Sequence, residues 1–272
     1  MANILHQILE TKRVEVAEAR KQRPIDEVRR AALETPRPRD FTAAIKLRAM
    51  GEVRLIAEIK KASPSAGVIV AEFDPVAIAL EYDCAGAVAI SVLTDEAYFG
   101  GHLDFLRRVK DAVPLPVLRK DFLIDEYQVY ESRVAGADAV LLIAEVLGTE
   151  GVVRLLPQAR ALELSVIVEV HTEQNLLAVV DAIGPPAPDR YVLGINNRDL
   201  DRQRTDLSTF SRLARLVPGG VPLVAESGLN SRQDVQAVAD AGAWAILVGE
   251  SILRAPNRRQ KVAALLGDAV GN

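Results

Sequence analysis

Residues 135–143 read AGADAVLLI, and this short stretch joins two patterns. Ala135 and Gly136 are typical of a helix end, because glycine is favoured just past a helix, where φ turns positive. The apolar residues that follow are typical of a buried strand. The same phrase, Ala-Gly-Ala, leads into apolar runs at 85–87 and 241–243. This recurrence favours one repeated strand–helix unit, although independent selection for helix caps would also produce it.

Eight short apolar runs alternate with helical patterns from residue 54 onward. The runs are 54–60, 87–93, 116–120, 137–143, 165–170, 191–196, 221–227 and 244–249. Their mean spacing is about 27 residues, close to the roughly 30 expected of one strand–helix unit. Strands this uniformly apolar suit a parallel sheet that helices cover.

The loop after the first run distinguishes two parallel architectures. It reads KKASPSAG (60–67) and lacks the G-x-G-x-x-G turn of an open dinucleotide-binding sheet. Eight strand–helix units without that turn favour a closed (β/α)8 barrel, the TIM barrel. We therefore predict an α/β protein in which residues 51–272 form the catalytic barrel domain.

Residues 1–50 are predicted to form an additional helical segment packed on the barrel. Ile4, Leu5, Ile8 and Leu9 mark one apolar helical face, and the rest of the segment is highly charged. The segment either packs across one end of the barrel or partly covers its active face. Composition does not decide between these alternatives.

The composition excludes several classes of partner. The chain is 49% hydrophobic, 26% charged and only 4% aromatic, with a net charge of −4. This balance gives no global attraction to nucleic acid or to anionic lipid. No apolar run approaches the ~18 residues of a membrane span, and the N-terminus lacks the apolar core of a signal peptide. We expect a cytoplasmic protein that binds a small molecule, as a monomer or with weak self-association.

The single cysteine, Cys84, excludes an intramolecular disulfide and a cysteine-based metal site. We expect it to be a small buried residue of a helix. The histidines, His6, His102 and His171, show no metal-binding spacing, so no metal is expected.

Polar and ionisable residues stand at the carboxyl ends of the predicted strands, where barrels build their active sites. They are Glu58, Lys60, Lys120, Glu169, Asn196, Asn197, Arg198, Glu226, Ser227, Glu250 and Ser251. One charged residue at a strand end is solvated or structurally paired in roughly three cases of four. Five of eight strand ends with ionisable residues are costly to desolvate unless a ligand uses them, which favours an active site.

Alternation along each strand indicates which of these side chains point inward. Lys120 shares a face with the apolar Leu118, and Glu169 shares one with Ile167. By the same rule Glu58 and Lys60 lie on one face, where they either converge on the barrel mouth or neutralise each other. Arg119 has the opposite parity and is predicted to face the helix layer or the rim.

Two glycines are candidates for phosphate binding. Gly228 follows the seventh strand and Gly249 the eighth, and phosphate sites are frequent at these loops of barrels. Ordinary turn glycines are an equally good explanation until the fold is accepted. Ser63 and Ser65 in the first loop either add hydroxyl donors or form a turn around Pro64.

Six motifs together resemble the indole-3-glycerol phosphate synthase family in order and spacing. They are IAEIKKASPSAG (56–67), LRKDF (118–122), VEVHTE (168–173), LGINNRDL (193–200), VAESGL (224–229) and LVGESI (247–252). The N-terminal residues 4–16 and 39–45 also look like that family's extra segment. The resemblance implies a cofactor-free and metal-free lyase of tryptophan biosynthesis. It would convert 1-(2-carboxyphenylamino)-1-deoxyribulose 5-phosphate into indole-3-glycerol phosphate, CO₂ and water.

The resemblance also implies roles for individual residues. Lys120 would be the general acid of ring closure and Glu169 the base or acid–base partner in dehydration. Lys60 would hold the substrate carboxylate and donate a later proton, with Glu58 to orient or tune it. Other residues would bind substrate: Asn196 and Arg198 near the anilino-carboxylate and reacting hydroxyls, and Glu226 and Ser227 near the sugar. Phosphate would contact Ser63, Gly228, Gly249, and the backbone of Glu250 or Ser251.

Three rival functions stay open at this point. A phosphosugar isomerase of the preceding step would need a cysteine and an aspartate at strand ends, which Cys84 does not fit. A Schiff-base aldolase would use Lys120 as its nucleophile. A barrel that only binds a phosphorylated metabolite would not need both lysines and both glutamates.

Overall fold

Eight parallel strands close into a barrel in the computed structural model, which describes residues 4–46, 52–198 and 205–267. The strands are β1 (Arg54–Ile59), β2 (Ala89–Leu93), β3 (Val117–Lys120), β4 (Ala139–Ile143), β5 (Ser165–Val170), β6 (Val192–Asn196), β7 (Leu223–Glu226) and β8 (Ala245–Val248). Each pairs in parallel with its neighbour along the chain, and β1 pairs with β8 to close the ring. The predicted (β/α)8 barrel is confirmed.

Helices precede the barrel and fill the connections between its strands. Before the barrel lie α1 (Ile4–Gln22), α2 (Ile25–Glu34) and α3 (Phe41–Ile45). The later helices are α4 (Pro75–Cys84), α5 (Glu96–Phe99), α6 (Leu103–Ala112), α7 (Glu126–Val134), α8 (Ala144–Ala161), α9 (Glu173–Ile183), α10 (Ser208–Ala214), α11 (Arg232–Asp240), α12 (Glu250–Leu253) and α13 (Arg258–Leu266). The first strand–helix loop also holds a small antiparallel pair, Ala62–Ser63 with Gly67–Val68.

Local sequence signals set the helix ends. Asp74 accepts hydrogen bonds from the first free N–H groups of α4, and Ser231 caps α11 in the same way. The three Ala-Gly-Ala phrases place Gly86, Gly136 and Gly242 at φ values of 94°, 92° and 100°. Only glycine adopts this region without strain, so each phrase ends a helix as predicted.

Side-chain alternation divides the apolar residues into two layers. Ile56, Leu118 and Ile167 belong to a buried cluster inside the barrel. Leu55 and Val168, which neighbour two of them along the strands, belong to the larger cluster between the strands and the surrounding helices. The inward face of each strand, continued to its carboxyl end, is therefore the face that reaches the barrel mouth.

The N-terminal helices contact both ends of the barrel. At the amino ends of the strands, Phe41 and Ile45 of α3 are fully buried in the interior cluster, and Thr42 donates a hydrogen bond to Ser165 at the start of β5. At the carboxyl ends, Ile8 of α1 joins the same cluster. Of the two predicted alternatives, the structure favours the second, because α1 lies on the active face. The predicted boundary at residues 50 and 51 lies outside the described residues.

A buried lysine fixes α1 to the barrel. Nζ of Lys12 lies 2.9 Å from Oδ2 of Asp95, which follows β2, and 3.0 Å from Oδ1 of Asp121, which follows β3. Burial lowers the pKa of Lys12, but the charges of Asp121 and Asp95 outweigh it and raise the pKa. The helix is therefore held on the active face by an ammonium between two buried carboxylates.

The predicted burial of Cys84 is wrong. It lies at the end of α4, as expected of a helical residue, but its side chain is exposed. The helix presents Ile78, Ala79 and Tyr82 to the core, so Cys84 falls on the solvent side. In the described parts of the chain, no helix combines the length and apolar character that a membrane crossing needs.

Candidate active site

A cavity of about 560 Å³ opens at the carboxyl ends of the strands. Every residue with a predicted catalytic or binding role lines it: Glu58, Lys60, Ser63, Lys120, Glu169, Asn196, Arg198, Glu226, Ser227, Gly228, Gly249, Glu250 and Ser251. Asn197, which also stands at a predicted strand end, does not. Residues from six strand ends thus converge on one space, as their positions in a closed barrel require.

Lys120, the last residue of β3, lies between two carboxylates. Its Nζ is 2.8 Å from Oε2 of Glu169 and 3.5 Å from Oε2 of Glu226. Burial lowers the pKa of Lys120, but Glu169, Glu226 and Glu58 together outweigh it and raise the pKa. The ammonium form is therefore the resting state, with a proton available to a substrate atom that replaces one of these carboxylates.

Glu169 on β5 is buried and held by several groups. Besides Lys120, its Oε1 accepts a hydrogen bond of 3.1 Å from Nδ2 of Asn196 on β6. Burial raises the pKa of Glu169, but Lys120 and then His171 outweigh it and lower the pKa below its ordinary value. The carboxylate form is stabilised, which suits a base.

Glu226 on β7 differs from Glu169, because its pKa is shifted in the opposite direction. It is buried, and among the described residues neither of its oxygens has a directed hydrogen-bond partner. Burial and the nearby negative charge of Glu169 raise the pKa of Glu226 well above its ordinary value, although Lys120 opposes this. Neighbouring carboxyls whose pKa values are driven apart suit different proton-transfer roles, since a lowered pKa suits a base and a raised pKa suits a proton donor.

A glycine makes room for Glu226. A Cβ atom built on Gly194 of β6 would lie 2.4 Å from Oε1 of Glu226 and 2.8 Å from Cγ2 of Ile167. No side chain fits there without displacing the carboxyl or the core. The only signal for Gly194 in the sequence is a glycine inside a predicted strand.

Lys60 and Glu58 at the end of β1 form a second ion pair. Nζ of Lys60 lies 2.5 Å from Oε1 of Glu58, and both side chains are largely buried. Gly249 after β8 allows this arrangement, because a Cβ atom there would lie 2.5 Å from Oε1 of Glu58. Of the two alternatives left by the sequence, both hold: the pair is neutralised internally and also faces the cavity.

The loops after β1 and β8 meet at a more basic end of the cavity. Nη1 of Arg198 donates a 2.6 Å hydrogen bond to Oγ of Ser65, and Nη2 lies 3.8 Å from Oε2 of Glu250. Arg254, for which the sequence predicted no role, also lines the cavity and pairs with Glu250 at 3.0 Å. Arg198 thus lies beside the predicted phosphate residues as well as next to Asn196.

The loop after β7 has an unusual backbone. Ser227 and Gly228 adopt φ values of 65° and 81° in succession. Asn197 fixes this loop, since its Nδ2 donates to the carbonyl of Ser227 at 3.1 Å while its Oδ1 accepts from the N–H of Phe210 at 3.0 Å. A rigid turn of this kind can present backbone N–H groups to an anion.

The side of the cavity beneath α1 is apolar. It is lined by Ile4, Leu5, Ile8, Phe99, Phe122, Leu141 and Ile143. The rings of Phe99 and Phe122 contact each other with centroids 6.1 Å apart. This surface suits a flat aromatic group next to the charged residues.

Arg119 and Asp121, the sequence neighbours of Lys120, do not take part in the ion pairs that Lys120 forms in the cavity. Arg119 turns outward, as predicted, and its guanidinium binds Glu131 at 2.8 Å and Asp121 at 3.1 Å. Asp121 is buried, accepts from Thr94 at 2.6 Å, and contacts Lys12 of α1. These contacts give Asp121 a structural role, because they fix the loop after β3.

His171, for which the sequence predicted no role, lies behind Glu169. Its Nε2 is 3.2 Å from Oε1 of Glu169, and its Nδ1 is 2.9 Å from Oε2 of Glu145 at the start of α8. Glu145 also accepts from the backbone N–H of His171 at 2.8 Å and from Nδ2 of Asn175 at 2.9 Å. The parity that His171 shares with Glu169 was the available signal.

The comparison with known protein families agrees with the motifs. A family model described as indole-3-glycerol phosphate synthase matches residues 5–265. The chain belongs to the indole-3-glycerol phosphate synthase family. The resemblance seen in the six motifs is thereby confirmed.

Curated proteins named indole-3-glycerol phosphate synthase are similar to this chain over nearly their whole length. One from Geobacillus kaustophilus is 47% identical over 269 residues, which cover 99% of each chain. Another from Rhodopirellula baltica is 46% identical over 263 residues, which cover 97% of this chain and 98% of the relative. A third, from Rhodospirillum rubrum, is 42% identical over 268 residues, covering 98% and 100%.

Solved structures outside the indole-3-glycerol phosphate synthase family share the fold. A 3-hexulose-6-phosphate synthase from Salmonella typhimurium superposes with a TM-score of 0.62 at 15% identity, covering 79% of this chain and 97% of that one. Phosphoribosylanthranilate isomerase from Thermotoga maritima gives 0.56 at 14% identity, covering 79% and 99%. At these identities the likeness shows the fold alone.

Proposed function

We propose that this protein converts 1-(2-carboxyphenylamino)-1-deoxyribulose 5-phosphate into indole-3-glycerol phosphate, with release of CO₂ and water, as a step of tryptophan biosynthesis. Family membership supports this directly. The observation in the site that carries it is the buried Lys120 ammonium between Glu169 and Glu226, beside a second Lys60–Glu58 pair. Ring closure followed by dehydration needs such paired acids and bases.

The first step joins the aryl carbon that bears the carboxylate to the ketone carbon of the sugar chain. Electrons of the new bond displace the carbonyl π electrons onto oxygen, and Lys120 donates its proton there. To receive this proton, the carbonyl oxygen of the substrate must replace the oxygen of Glu169 or Glu226 that lies beside Nζ of Lys120 in this structure. A preorganised ammonium beside the developing negative charge lowers the activation barrier of this attack.

The second step removes CO₂ and restores the aromatic ring. The bond from the ring to the carboxylate breaks, and its electron pair returns to the ring. Lys60, paired with Glu58 at 2.5 Å, holds the carboxylate before it leaves. The ring itself lies on the apolar surface beneath α1, next to Phe122 and Ile8.

The third step is dehydration to the indole. The hydroxyl on the former ketone carbon leaves as water after Lys60 protonates it, and Glu169 removes a proton from the neighbouring methylene carbon. Glu226, neutral because of its buried position, donates a hydrogen bond to a sugar hydroxyl, with Ser227 beside it. Asn196 keeps Glu169 in place throughout.

The substrate phosphate binds where the loops after β1, β7 and β8 meet. Ser63, Gly228, Gly249 and the backbone of Glu250 and Ser251 line this end of the cavity. Arg198 and Arg254 supply positive charge that Glu250 only partly neutralises. The side chain of Ser251 donates to the carbonyl of Leu229, so its contribution to phosphate is through the backbone.

Schiff-base chemistry at Lys120 is disfavoured by the same geometry. A nucleophilic lysine needs a lowered pKa, whereas the surrounding carboxylates raise the pKa of Lys120. Borohydride in the presence of substrate should therefore leave no covalent adduct on this residue.

We also propose that the enzyme works as a cytoplasmic monomer. Support comes from the exposed thiol of Cys84, which suits a reducing compartment, and from a cavity that brings the residues with predicted catalytic or binding roles together without a residue from a second subunit. Light scattering with and without substrate tests the oligomeric state.

The direct test of the activity is incubation with the carboxyphenylamino-deoxyribulose phosphate while indole fluorescence is followed. The expected result is a fluorescence rise that needs no added metal or cofactor. Consumption of substrate without an indole product would contradict the proposal.

A further inference from the structure

His171 is a buried histidine that does not line the cavity, yet its ring contacts the proposed base. Its two ring nitrogens face different carboxylates: Nδ1 faces Glu145 at 2.9 Å and Nε2 faces Glu169 at 3.2 Å. The side chain has only 5% of its surface exposed. An imidazolium in this position lies between two negative charges that water does not screen.

Glu145 holds this ring from behind. It accepts hydrogen bonds from Nδ1 and from the backbone N–H of His171, and a third from Asn175 on α9. Burial raises the pKa of Glu145, but His171 and Asn175 outweigh it and lower the pKa. The ionised carboxylate fixes the proton on Nδ1, so that Nε2 is the atom presented to Glu169.

The contact between Nε2 and Glu169 is electrostatic rather than a directed hydrogen bond. Although the atoms are 3.2 Å apart, Nε2 has no well-aligned acceptor among the described residues. A buried N–H without an aligned partner costs free energy. Glu145 imposes this orientation on the His171 ring. The ring then places a positive charge beside Glu169 without a directed hydrogen bond to Oε1, which already accepts one from Asn196.

The need for this charge arises when Lys120 loses its proton. In the resting site Glu169 has Lys120 at Oε2 and His171 at Oε1. Once Lys120 is neutral, the described residues that contact Glu169 offer it one positive charge, that of His171. A buried carboxylate without a counter-charge takes up a proton, and it can then no longer act as the base of dehydration.

We propose that His171 is a positioning residue for Glu169: held by Glu145, it supplies the buried positive charge that keeps the Glu169 carboxylate in place and ionised after Lys120 has donated its proton. The inference rests on the proposed function and adds a residue to its site. The charged groups that face His171 are Glu145 of α8, Glu169 of β5 and, repelling it, Lys120 of β3. Burial lowers the pKa of His171, but the two glutamates outweigh it and raise the pKa, which favours the imidazolium.

The kinetic test compares His171→Gln, Glu145→Gln and the control His6→Gln, which changes an exposed histidine of α1. In His171→Gln we expect kcat to fall by about tenfold or more, with KM nearly unchanged. The acid limb of the kcat–pH profile should move to higher pH by about 1 to 3 pH units, because Glu169 has lost a neighbouring cation. Glu145→Gln should move it in the same direction but less.

A spectroscopic test does not depend on turnover. The chain has three histidines, so the ¹⁵N signals of His171 are identified by comparison with His171→Gln. We expect its ring to stay doubly protonated to higher pH than an ordinary imidazole does, and to lose its proton at lower pH in Glu145→Gln.

The outcomes separate this inference from the proposed function. If the native protein forms no indole product, the proposed function fails, while the ¹⁵N titration still tests the charge of His171. If the native protein turns over and folded His171→Gln keeps its kcat and pH profile, His171 is only structural and the inference is overturned. A neutral His171 ring at pH 7 would overturn it as well.

Discussion

Nζ of Lys120 lies 2.8 Å from Oε2 of Glu169, so the proposed acid and the proposed base of this site form a buried ion pair with each other. The pair keeps both groups in the protonation states that the reaction needs. Each group must also leave the other to reach the substrate. Substrate binding therefore exchanges this internal ion pair for contacts of Lys120 with the reacting carbonyl and of Glu169 with the neighbouring methylene group.

The two buried glutamates beside Lys120 should respond differently to the same substitution. Glu169→Gln removes a base, and we expect kcat to fall by about 10²- to 10⁴-fold. Glu226→Gln replaces a neutral carboxyl by a neutral amide that still donates hydrogen bonds, so we expect a loss of no more than about tenfold. Steady-state indole fluorescence measures both. Equal losses in the two variants would show that the carboxyls do not differ in charge.

Glu226 should also make stability depend on pH. Its pKa is raised in the folded protein above the ordinary 4.5, so the folded state binds more protons than the unfolded state between these two values. Stability is therefore lost as pH rises from about 4.5 through the folded pKa. Glu226→Gln lacks this loss, and its Tm relative to the native protein should be higher at pH 8 than at pH 5. A difference in Tm that is the same at both pH values would contradict the raised pKa.

Lys12 should matter for both stability and substrate binding. Lys12→Met leaves Asp95 and Asp121 buried without their ammonium, and removing one partner of a buried ion pair costs about 3–5 kcal/mol. Because α1 carries Ile8 over the cavity, a loosened helix should also raise KM. Urea denaturation and substrate titration measure the two effects. The matched control is Lys21→Met, at an exposed lysine of the same helix, and an equal effect of the two substitutions would contradict the anchoring role.

Gly194 should be intolerant of even one methyl group. In Gly194→Ala the new Cβ would lie 2.4 Å from Oε1 of Glu226, so we expect a displaced carboxyl, a lower kcat and a lower Tm. Gly219→Ala is the control, because a Cβ there meets nothing within 4 Å. Unchanged kcat in folded Gly194→Ala would show that Glu226 needs no fixed position.

Much of the barrel was predictable because its signals are local. Apolar runs, Gly136 and its counterparts, and the cap at Asp74 each depend on a few neighbouring residues. Strand parity then placed Lys120 inward and Arg119 outward without knowledge of the fold's details. The convergence of the predicted residues on one cavity follows from closing the barrel.

What the sequence left undetermined depends on contacts between distant segments. The apolar face of α1 fits either end of a barrel, and Lys12 looks like a solvated lysine until Asp95 and Asp121 surround it. The charge state of Glu226 depends on its neighbours from other strands. Cys84 was misassigned because a helix rich in apolar residues gives no clear periodicity from which to choose its buried side.

In the proposed reaction, Lys120 is the acid that allows this cavity to close an indole ring and release CO₂. The most direct test of this reaction is ¹³C NMR with substrate labelled at the carboxylate, run beside indole fluorescence on the native protein, Lys120→Met and the exposed-lysine control Lys61→Met. We predict one labelled CO₂ per indole formed by the native protein and the control, and a rate about 10²- to 10⁴-fold lower in Lys120→Met. Label retained in an organic product of the native protein would contradict the proposed decarboxylation, and near-normal turnover by Lys120→Met would contradict acid catalysis by Lys120.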